Sequence, residues 1–337
     1  MDATDTIGHH NDSKNEGKAM QPMPTTLRTS HSRRATLALG VCALALGAVL
    51  SAGAAVAAQA AASQDKIIIS GASGQLGGLT VKALLAKGVP AKNLILVSRT
   101  PNTLDAYAKL GASVRFGDFA KPESLPAAYA GGTRMLLISI GGGAGPRPEA
   151  HKRAIDAAVA AGVKQIAYTS WIAISSGDSS GIGSDHAQTE EILKKSGVAW
   201  TMLRNSVYAD MLIPQAARML ADGRATLPAS ENKIAYVTRE DCAAAAAAVL
   251  STPGHDNKAY DITGPELIGV REVAAAATAV TGKPIELVPA DPNAKQPPRG
   301  FGGPSLSVMS SAVADLTGRP ATSVRKLLEA NKDKLIH

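Results

Sequence analysis

A glycine-spaced loop joins an apolar strand to a helix where the regular pattern of the chain begins. Lys66–Ser70 is an apolar, β-branched run, glycines follow at Gly71, Gly74 and Gly77, and a segment of helical periodicity comes next. This order is typical of the first βα unit of a dinucleotide-binding sheet, in which the loop backbone and the helix N-terminus bind a pyrophosphate. The alternative is that the glycines serve only a turn. On the first interpretation, the loop residues that contact the cofactor are Gly71, Ser73, Gly74, Gln75, Leu76 and Gly77.

Strand-like and helix-like segments alternate along residues 66–204. Such alternation is typical of a parallel sheet with helices on both faces. We therefore predict an α/β fold, namely a Rossmann-like doubly wound parallel sheet with a smaller C-terminal α/β substrate-binding part. The predicted strands are Lys66–Ser70, Asn93–Ser98, Ser113–Phe116, Arg134–Ile140, Gln165–Ser170, Trp200–Arg204, Lys233–Val237 and Ala259–Ile262. The predicted helices are Gln75–Lys87, Thr103–Leu110, Glu123–Tyr129, Pro148–Ala161, Asp185–Ser196, Met211–Ala221, Glu240–Leu250 and Arg271–Val280.

The chain divides into three predicted parts. Residues 1–63 form a leader, residues 64–205 an NAD(P)-binding Rossmann domain, and residues 206–337 a substrate-binding part that is partly interwoven with the Rossmann sheet. Within the last part, residues 291–304 contain four prolines and three glycines. This composition breaks regular structure and predicts a loop or a lid.

The leader has the pattern of an export signal. Arg33 and Arg34 precede Ala35–Ser63, an uncharged stretch rich in alanine, leucine and glycine. An arginine pair, a weakly hydrophobic run and small residues at A-x-A positions are typical of a twin-arginine signal. We expect cleavage after Ala60 or Ala62 and a periplasmic mature protein. The alternative is a membrane-anchored protein, because residues 35–62 are long enough to span a bilayer.

Composition and charge exclude several classes of protein. Aromatic residues are 3% of the 337, too few for a surface that stacks single-stranded nucleic acid. Of the net charge of +7, the leader contributes +1 because it holds five basic and four acidic residues. The remaining charges are interspersed, which is typical of a solvated surface rather than a nucleic-acid interface. Two cysteines cannot build a disulfide scaffold, and we expect no metal site because no cluster has metal-ligand spacing.

The end of the second predicted strand discriminates between the two nicotinamide cofactors. An NAD-binding site carries a carboxylate there for the ribose hydroxyls, whereas this chain reads Val97-Ser98-Arg99-Thr100. The guanidinium of Arg99 is suited to a 2′-phosphate, so NADP(H) is favoured over NAD(H). A solvated surface arginine is the alternative. Asp118, after the third strand, is a predicted adenine contact, or else a cap for the following helical region.

The substrate is expected beyond the carboxyl ends of the strands, beside the nicotinamide. At that edge we predict cofactor contacts from Ser139 and Thr169. Trp171 and Tyr208 offer flat faces to an aromatic ring, although either could instead be a core aromatic. The predicted substrate contacts are Ser170, Trp171, Asn205 and Tyr208.

Several motifs in a fixed order resemble those of the NmrA-like atypical short-chain dehydrogenases/reductases, with the type 2 NAD(P)H:quinone oxidoreductases as the most similar branch. They are Gly71–Gly77, the Arg99 strand end, Ala167-Tyr-Thr-Ser170, Asp185-His-Ala-Gln-Thr-Glu190 and Leu203-Arg-Asn205. The resemblance covers about residues 66–290 and resumes at Leu316-Thr-Gly-Arg-Pro320. It implies a nicotinamide-dependent reductase in which Asn205 and Tyr208 line the substrate pocket.

The chain departs from the wider superfamily at the proton donor. The usual Tyr-x-x-x-Lys motif is absent, and His186 and Glu190 stand at that spacing instead. A ketone reductase needs an acid at this position to protonate an alkoxide, whereas a reduced quinone is a stabilised anion that solvent can protonate. We expect His186, Asn205 and Tyr208 to be the catalytic candidates, with a helix-surface histidine as the alternative. Glu190 is expected on the helix surface or paired with Lys194.

Two functions fit these observations. The first is an NADPH-dependent reductase that transfers hydride to a quinone or a similar flat electrophile. The second is an NADP(H)-binding redox sensor without turnover. The expected partner is a small-molecule electron acceptor, and we expect no nucleic-acid partner. A membrane contact is expected only through an uncleaved leader. Both a monomer and a homodimer fit the sequence.

Overall fold

The computed structural model describes residues 65–141, 143–228, 232–290 and 303–336. The predicted leader and nearly all of the predicted proline-glycine loop lie outside these described residues. The strands within them are β1 (Ile67–Ser70), β2 (Leu94–Ser98), β3 (Ser113–Phe116), β4 (Arg134–Leu137), β5 (Gln165–Trp171), β6 (Ala199–Asn205), β7 (Arg224–Leu227), β8 (Lys258–Ile262) and β9 (Glu286–Pro289).

Helices connect most of these strands. The α-helices of the described ranges are α1 (Gln75–Ala86), α2 (Asp105–Lys109), α3 (Leu125–Tyr129), α4 (Arg147–Ala160), α5 (Ile182–Lys194), α6 (Leu212–Asp222), α7 (Arg239–Ser251), α8 (Val270–Thr281), α9 (Ala312–Thr317) and α10 (Val324–Glu329). Short 3₁₀ turns lie at Ala91–Asn93, Pro101–Leu104, Pro122–Ser124, Ile172–Ser176, Ala209–Met211, Pro304–Leu306 and Lys332–Leu335. None of the helices in these ranges has the length and apolar character that a bilayer crossing requires.

Seven strands form one parallel sheet in the order β3-β2-β1-β4-β5-β6-β8. The chain runs outward from β1 through β2 to β3 and then returns to the other side of β1 at β4. This reversal is the switch point of a doubly wound sheet, so the predicted Rossmann-like fold is confirmed. Because all seven strands are parallel, their carboxyl ends lie along one edge.

Successive residues of the central strands point to opposite faces of the sheet. Ile67 and Ile69 pack in the core that α1 and α7 cover, whereas Ile68 packs in the core that α3, α4 and α5 cover. The same alternation separates Leu96 from Val97 on β2. Because helices bury both faces, the strands are apolar at consecutive positions, which is the run-like pattern that the sequence shows.

The predicted strand over Lys233–Val237 is wrong. The backbone amide of Ile234 donates to the carbonyl of Ile268, that of Ala235 to Leu306, and that of Val237 to Val207. The segment therefore satisfies its hydrogen bonds with three separate parts of the chain and forms only isolated bridges instead of a ladder.

A small second sheet was not predicted. It consists of β7 and β9, which pair in parallel from Arg224 with Glu286 to Leu227 with Pro289. The residues of β9 are mostly exposed, so this short strand has neither the apolar run nor the alternation by which a sequence identifies strands.

Asp241 ties the C-terminal segment to the start of α7. Its carboxylate is fully buried and accepts hydrogen bonds from the Thr238 hydroxyl at 2.8 Å and from the Thr322 amide at 2.8 Å. Arg319, from the motif Leu316–Pro320, contacts the same carboxylate at 2.6 Å. A buried charge with this many donors is stable only while the donors stay in place.

We expect Asp241→Asn to lower the free energy of unfolding by about 3 kcal/mol. The change removes the buried negative charge that pairs with Arg319, and it puts an amide N–H₂ donor in place of one carboxylate oxygen acceptor. Urea denaturation followed by circular dichroism measures the difference. Asp315→Asn is the matched control, since Asp315 is exposed and accepts one hydrogen bond from Ser311. Equal stabilities of the two variants would contradict the role assigned to Asp241.

Candidate active site

The glycine loop is tightly packed between β1 and α1. Gly71 has a positive φ of 97°, and its amide donates to the Val97 carbonyl at 3.0 Å. A Cβ at Gly77 would lie 2.2 Å from the Gly71 carbonyl oxygen, so only glycine allows this approach. No side chain caps α1 at Gly74. The first-turn amides of α1 therefore have no side-chain cap at this N-terminus, an arrangement that favours a bound anion.

A first cavity of about 260 Å³ lies between the loop and the ends of β2 and β3. Arg99 is exposed at its rim, and the Ser73 hydroxyl is 2.6 Å from that of Ser98 at the end of β2. Asp118 lines the cavity and accepts a hydrogen bond from the Ala120 amide at 3.0 Å, so its carboxylate also closes the turn after β3. The carboxylate does not cap the following 3₁₀ turn, whose N-cap residue is Lys121, so the predicted cap is wrong, and the adenine contact stays a prediction.

A second cavity of about 480 Å³ lies at the ends of β4, β5 and β6. Its volume falls in the range of small-molecule sites, about 300–1,000 Å³. The two cavities share Gly71, Gly74 and the segment Ile138–Gly141 as lining. They therefore adjoin, and together they form a groove along the carboxyl edge of the sheet across the switch point.

All the site residues predicted from the sequence line this groove. In the first cavity lie Gly71, Ser73, Gly74, Arg99, Asp118 and Ser139, and in the second lie Gly71, Gly74, Gln75, Leu76, Gly77, Ser139, Thr169, Ser170, Trp171, His186, Asn205 and Tyr208. The structure adds Arg147, Ile182, Met211 and Arg239, which the site prediction did not include. No group of three potential metal-binding side chains occurs among the described residues.

Three side chains hold the segment that both cavities share. The Thr169 hydroxyl accepts the Ser139 amide at 2.9 Å. His151 Nε2 accepts the Ile140 amide at 3.2 Å, and Arg147 Nε donates to the Ile140 carbonyl at 2.8 Å. This is why β4 ends at Leu137 rather than at the predicted Ile140: beyond Leu137 the backbone bonds to side chains and no longer to a neighbouring strand.

Two buried histidines stand behind this segment as neutral bases. Burial is the main cause that lowers the pKa of His151 to about 3 and that of His186 to about 4. The nearby Arg147 guanidinium contributes to both shifts, and His186 contributes to that of His151. His186 Nδ1 is 2.8 Å from the Tyr168 hydroxyl, whose own pKa burial raises. His186 also lines the second cavity, so it meets a ligand there as an uncharged imidazole.

Glu190 is not on the helix surface, and its expected pairing with Lys194 is wrong. The side chain is 2% exposed, and Arg204 contacts both carboxylate oxygens, at 2.9 Å and 2.8 Å. Lys194 instead pairs with Glu191 at 2.9 Å. The Ser170 hydroxyl donates to Glu190 at 2.7 Å. Ser170 has therefore already used its proton and can only accept a hydrogen bond from a ligand.

Two buried polar atoms in the lining of the second cavity have no hydrogen-bond partner among the described residues. They are Asn205 Oδ1 and Ser206 Oγ, on residues that are 4% and 2% exposed. Buried polar atoms normally have partners, so these two atoms leave hydrogen-bonding capacity free at the cavity wall. An amide acceptor beside a hydroxyl suits a group such as the carboxamide of a nicotinamide, which both donates and accepts.

Arg239 and Tyr208 form the far wall of the second cavity. The guanidinium carbon lies 4.5 Å from the centre of the Tyr208 ring, a cation–π contact. Asp210 holds the same arginine from outside the lining, with a carboxylate oxygen 3.4 Å from Nη1 and the other accepting the Arg239 amide at 2.9 Å. The flat ring is thus fixed in place while the guanidinium remains at the wall.

The chain belongs to the NAD(P)H-binding, NmrA-like family. Residues 71–253 match the NAD(P)H-binding family, a region that contains the glycine loop and nearly the whole groove. The resemblance of the motifs is thereby confirmed, as is the prediction of an NAD(P)H-dependent oxidoreductase.

The chain is also similar to individual reductases. It is 38% identical over 221 residues to quinone oxidoreductase 2 of Escherichia coli K12, covering 65% of this chain and 76% of that protein. The E. coli NADPH-dependent quinone oxidoreductase complexed with NADPH superposes with a TM-score of 0.71 at 32% identity, covering 79% of this chain and 99% of that one. The Citrobacter sp. triphenylmethane reductase complexed with NADP(H) superposes with a TM-score of 0.70 at 29% identity, covering 79% and 99%.

We expect His151→Leu to raise the KM for NADPH and lower kcat, by about tenfold in kcat/KM, because the buried Ile140 amide loses its acceptor and the shared segment shifts. His151→Gln is the matched variant, since its side-chain oxygen can accept the same amide, and it restores most of kcat/KM. Steady-state kinetics of both variants checks this. Equal losses in the two would show that the hydrogen bond to Ile140 does not matter.

Proposed function

We propose that this protein is an NADPH-dependent reductase of a quinone or a similar flat electrophile, with direct hydride transfer and without a Tyr-x-x-x-Lys proton donor. The observation that carries the proposal is the position of His186. It stands where the superfamily has its tyrosine, yet its lowered pKa makes it a neutral imidazole rather than an acid of ordinary strength. An acceptor whose reduced form is a stabilised anion needs no stronger acid.

The groove fits a dinucleotide along its length. The amides at the start of α1 and the close approach at Gly74 suit the pyrophosphate, and Asn205 Oδ1 with Ser206 Oγ suits the nicotinamide end. Arg99 at the rim of the first cavity supports a 2′-phosphate and therefore NADP(H) over NAD(H). Both reductases of known structure named above are NADP(H) complexes, which supports the same preference.

The bound cofactor supplies a hydride to an acceptor in the second cavity. The residues of the chain position that acceptor: Trp171 and Tyr208 provide flat walls, and Met211 provides an apolar one. Tyr168, kept protonated by its raised pKa, lies 2.8 Å from His186 Nδ1. We assign Tyr168 as the donor of this hydrogen bond, which leaves the imidazole proton on Nε2 for an acceptor oxygen. Two of the relatives are named as quinone oxidoreductases, and a quinone ring is flat, which supports this class of acceptor.

The location of the protein and its assembly are also proposals. The leader with Arg33 and Arg34 supports export by a twin-arginine route, with a membrane-anchored form through residues 35–62 as the alternative. That route carries folded proteins, so the cofactor could travel in its groove. Fractionation of cells expressing the full chain tests this: mature protein found only in the cytosol would refute export. Size-exclusion chromatography distinguishes a homodimer from a monomer.

The function is tested by titrating residues 64–337 with NADPH and NADH and then adding a benzoquinone. We expect tighter binding of NADPH and oxidation of the cofactor by the quinone. Arg99→Ala should weaken NADPH by about tenfold or more and NADH little, because one charge-assisted contact to the phosphate is lost. Tight NADPH binding without turnover of any quinone would favour the redox sensor, and equal losses for both cofactors would contradict the phosphate contact.

We expect kcat/KM to show no ionisation of His186 between pH 6 and 8. Its pKa is lowered to about 4, so the imidazole is neutral throughout this range and takes up a proton only near pH 4. His186→Asn keeps a donor and should retain more activity than His186→Phe, which should lose about tenfold or more in kcat. A pH-rate profile with a step near 6.5 that disappears in His186→Asn would contradict a neutral His186.

A further inference from the structure

The charged groups in the lining of the second cavity have one sign. Among the described residues that line it, Arg147 and Arg239 are cationic and none is a carboxylate. The acids that face these arginines, Asp185 and Asp210, stand outside the lining, and Glu190 is bound by Arg204. A site walled by guanidinium groups in a low-dielectric setting attracts negative charge.

The two arginines differ in how far their donors are used. Arg147 donates to the Asp185 carboxylate at 2.8 Å and to the Ile140 carbonyl at 2.8 Å, so it is committed to the protein. Arg239 has a looser contact with Asp210, 3.4 Å from Nη1, and within the described part of the chain its guanidinium forms no short hydrogen bond. Its N–H donors are therefore available to a ligand. The guanidinium carbon lies 4.5 Å from the centre of the Tyr208 ring, and this contact holds the guanidinium at the cavity wall.

We propose that the second cavity selects aromatic acceptors that carry an anionic substituent, such as a sulfonate or a carboxylate, and that Arg239 binds this substituent. The proposal deepens the proposed function, on which it rests, by naming the class of substrate. Trp171 and the Tyr208 ring then contact the aromatic part of the acceptor.

Binding to the protein saturated with NADP⁺ tests this without turnover. The probes are anthraquinone-2-sulfonate, an anion, and 2-(hydroxymethyl)anthraquinone, a neutral molecule with the same rings. We expect the sulfonate to bind about tenfold or more tightly, and Arg239→Met to remove this preference while changing the affinity for the neutral quinone little. Arg239→Lys should keep part of the preference. Arg218→Met is the matched control, because Arg218 is an exposed arginine of α6 outside the lining and its loss changes the net charge equally.

Three results would overturn the proposal: equal affinities of the wild type for the two quinones, equal weakening of both quinones in Arg239→Met, or the same loss in Arg218→Met. Weaker binding of NADP⁺ to Arg239→Met with the quinone preference intact would also overturn it, since Arg239 would then bind a phosphate of the cofactor. The same experiment can refute the proposed reductase function independently of this binding proposal. A protein that prefers the sulfonate through Arg239 but oxidises NADPH with neither quinone supports the binding proposal and refutes the reductase.

Discussion

The parallel direction of all seven main strands is the constraint on which the site depends. It places the carboxyl end of every strand at one edge of the sheet. Because the strand order reverses between β1 and β4, the connections that follow these two strands diverge at this edge. The gap that results is bounded by the glycine loop on one side and by Ile138–Gly141 on the other. Because backbone at this gap has left the sheet, its polar groups need other partners, and side chains from β5 and α4 provide them.

Sequence patterns that depend on local geometry predicted most of the fold. Strand runs, helical spacing and the glycine loop each depend on a few neighbouring residues, so the central sheet and the position of the loop could be predicted from them. The segment Lys233–Val237 shows the limit of this reasoning, since it has a strand-like composition but its amides bond to three distant segments. Whether a ladder forms depends on a neighbour, and the neighbour is a property of the tertiary structure.

The same limit explains which site residues were missed. Arg147 and Arg239 are at the first turns of α4 and α7, far apart in the chain, and converge only because both helices begin at the carboxyl edge. Glu190 could have been recognised as buried, because it lies one turn from His186 on the same face of α5. A buried carboxylate requires a cation, and Arg204 on the adjacent strand β6 is the residue that supplies it.

The hydrogen-bond network around the second cavity determines what chemistry it can support. The Ser170 hydroxyl donates its hydrogen bond to Glu190, and the Tyr168 hydroxyl lies against His186 Nδ1 and not in the lining. The histidines have pKa values too low to hold an extra proton at neutral pH. The cavity is thus poor in transferable protons and rich in fixed positive charge from two guanidinium groups. Such a site stabilises a product that leaves as an anion better than one that must be protonated before it leaves, because preorganised charge acts on the developing anion without a proton transfer. In the function that we propose, fixed charge at the cavity wall therefore compensates for the absence of a tyrosine-lysine proton donor.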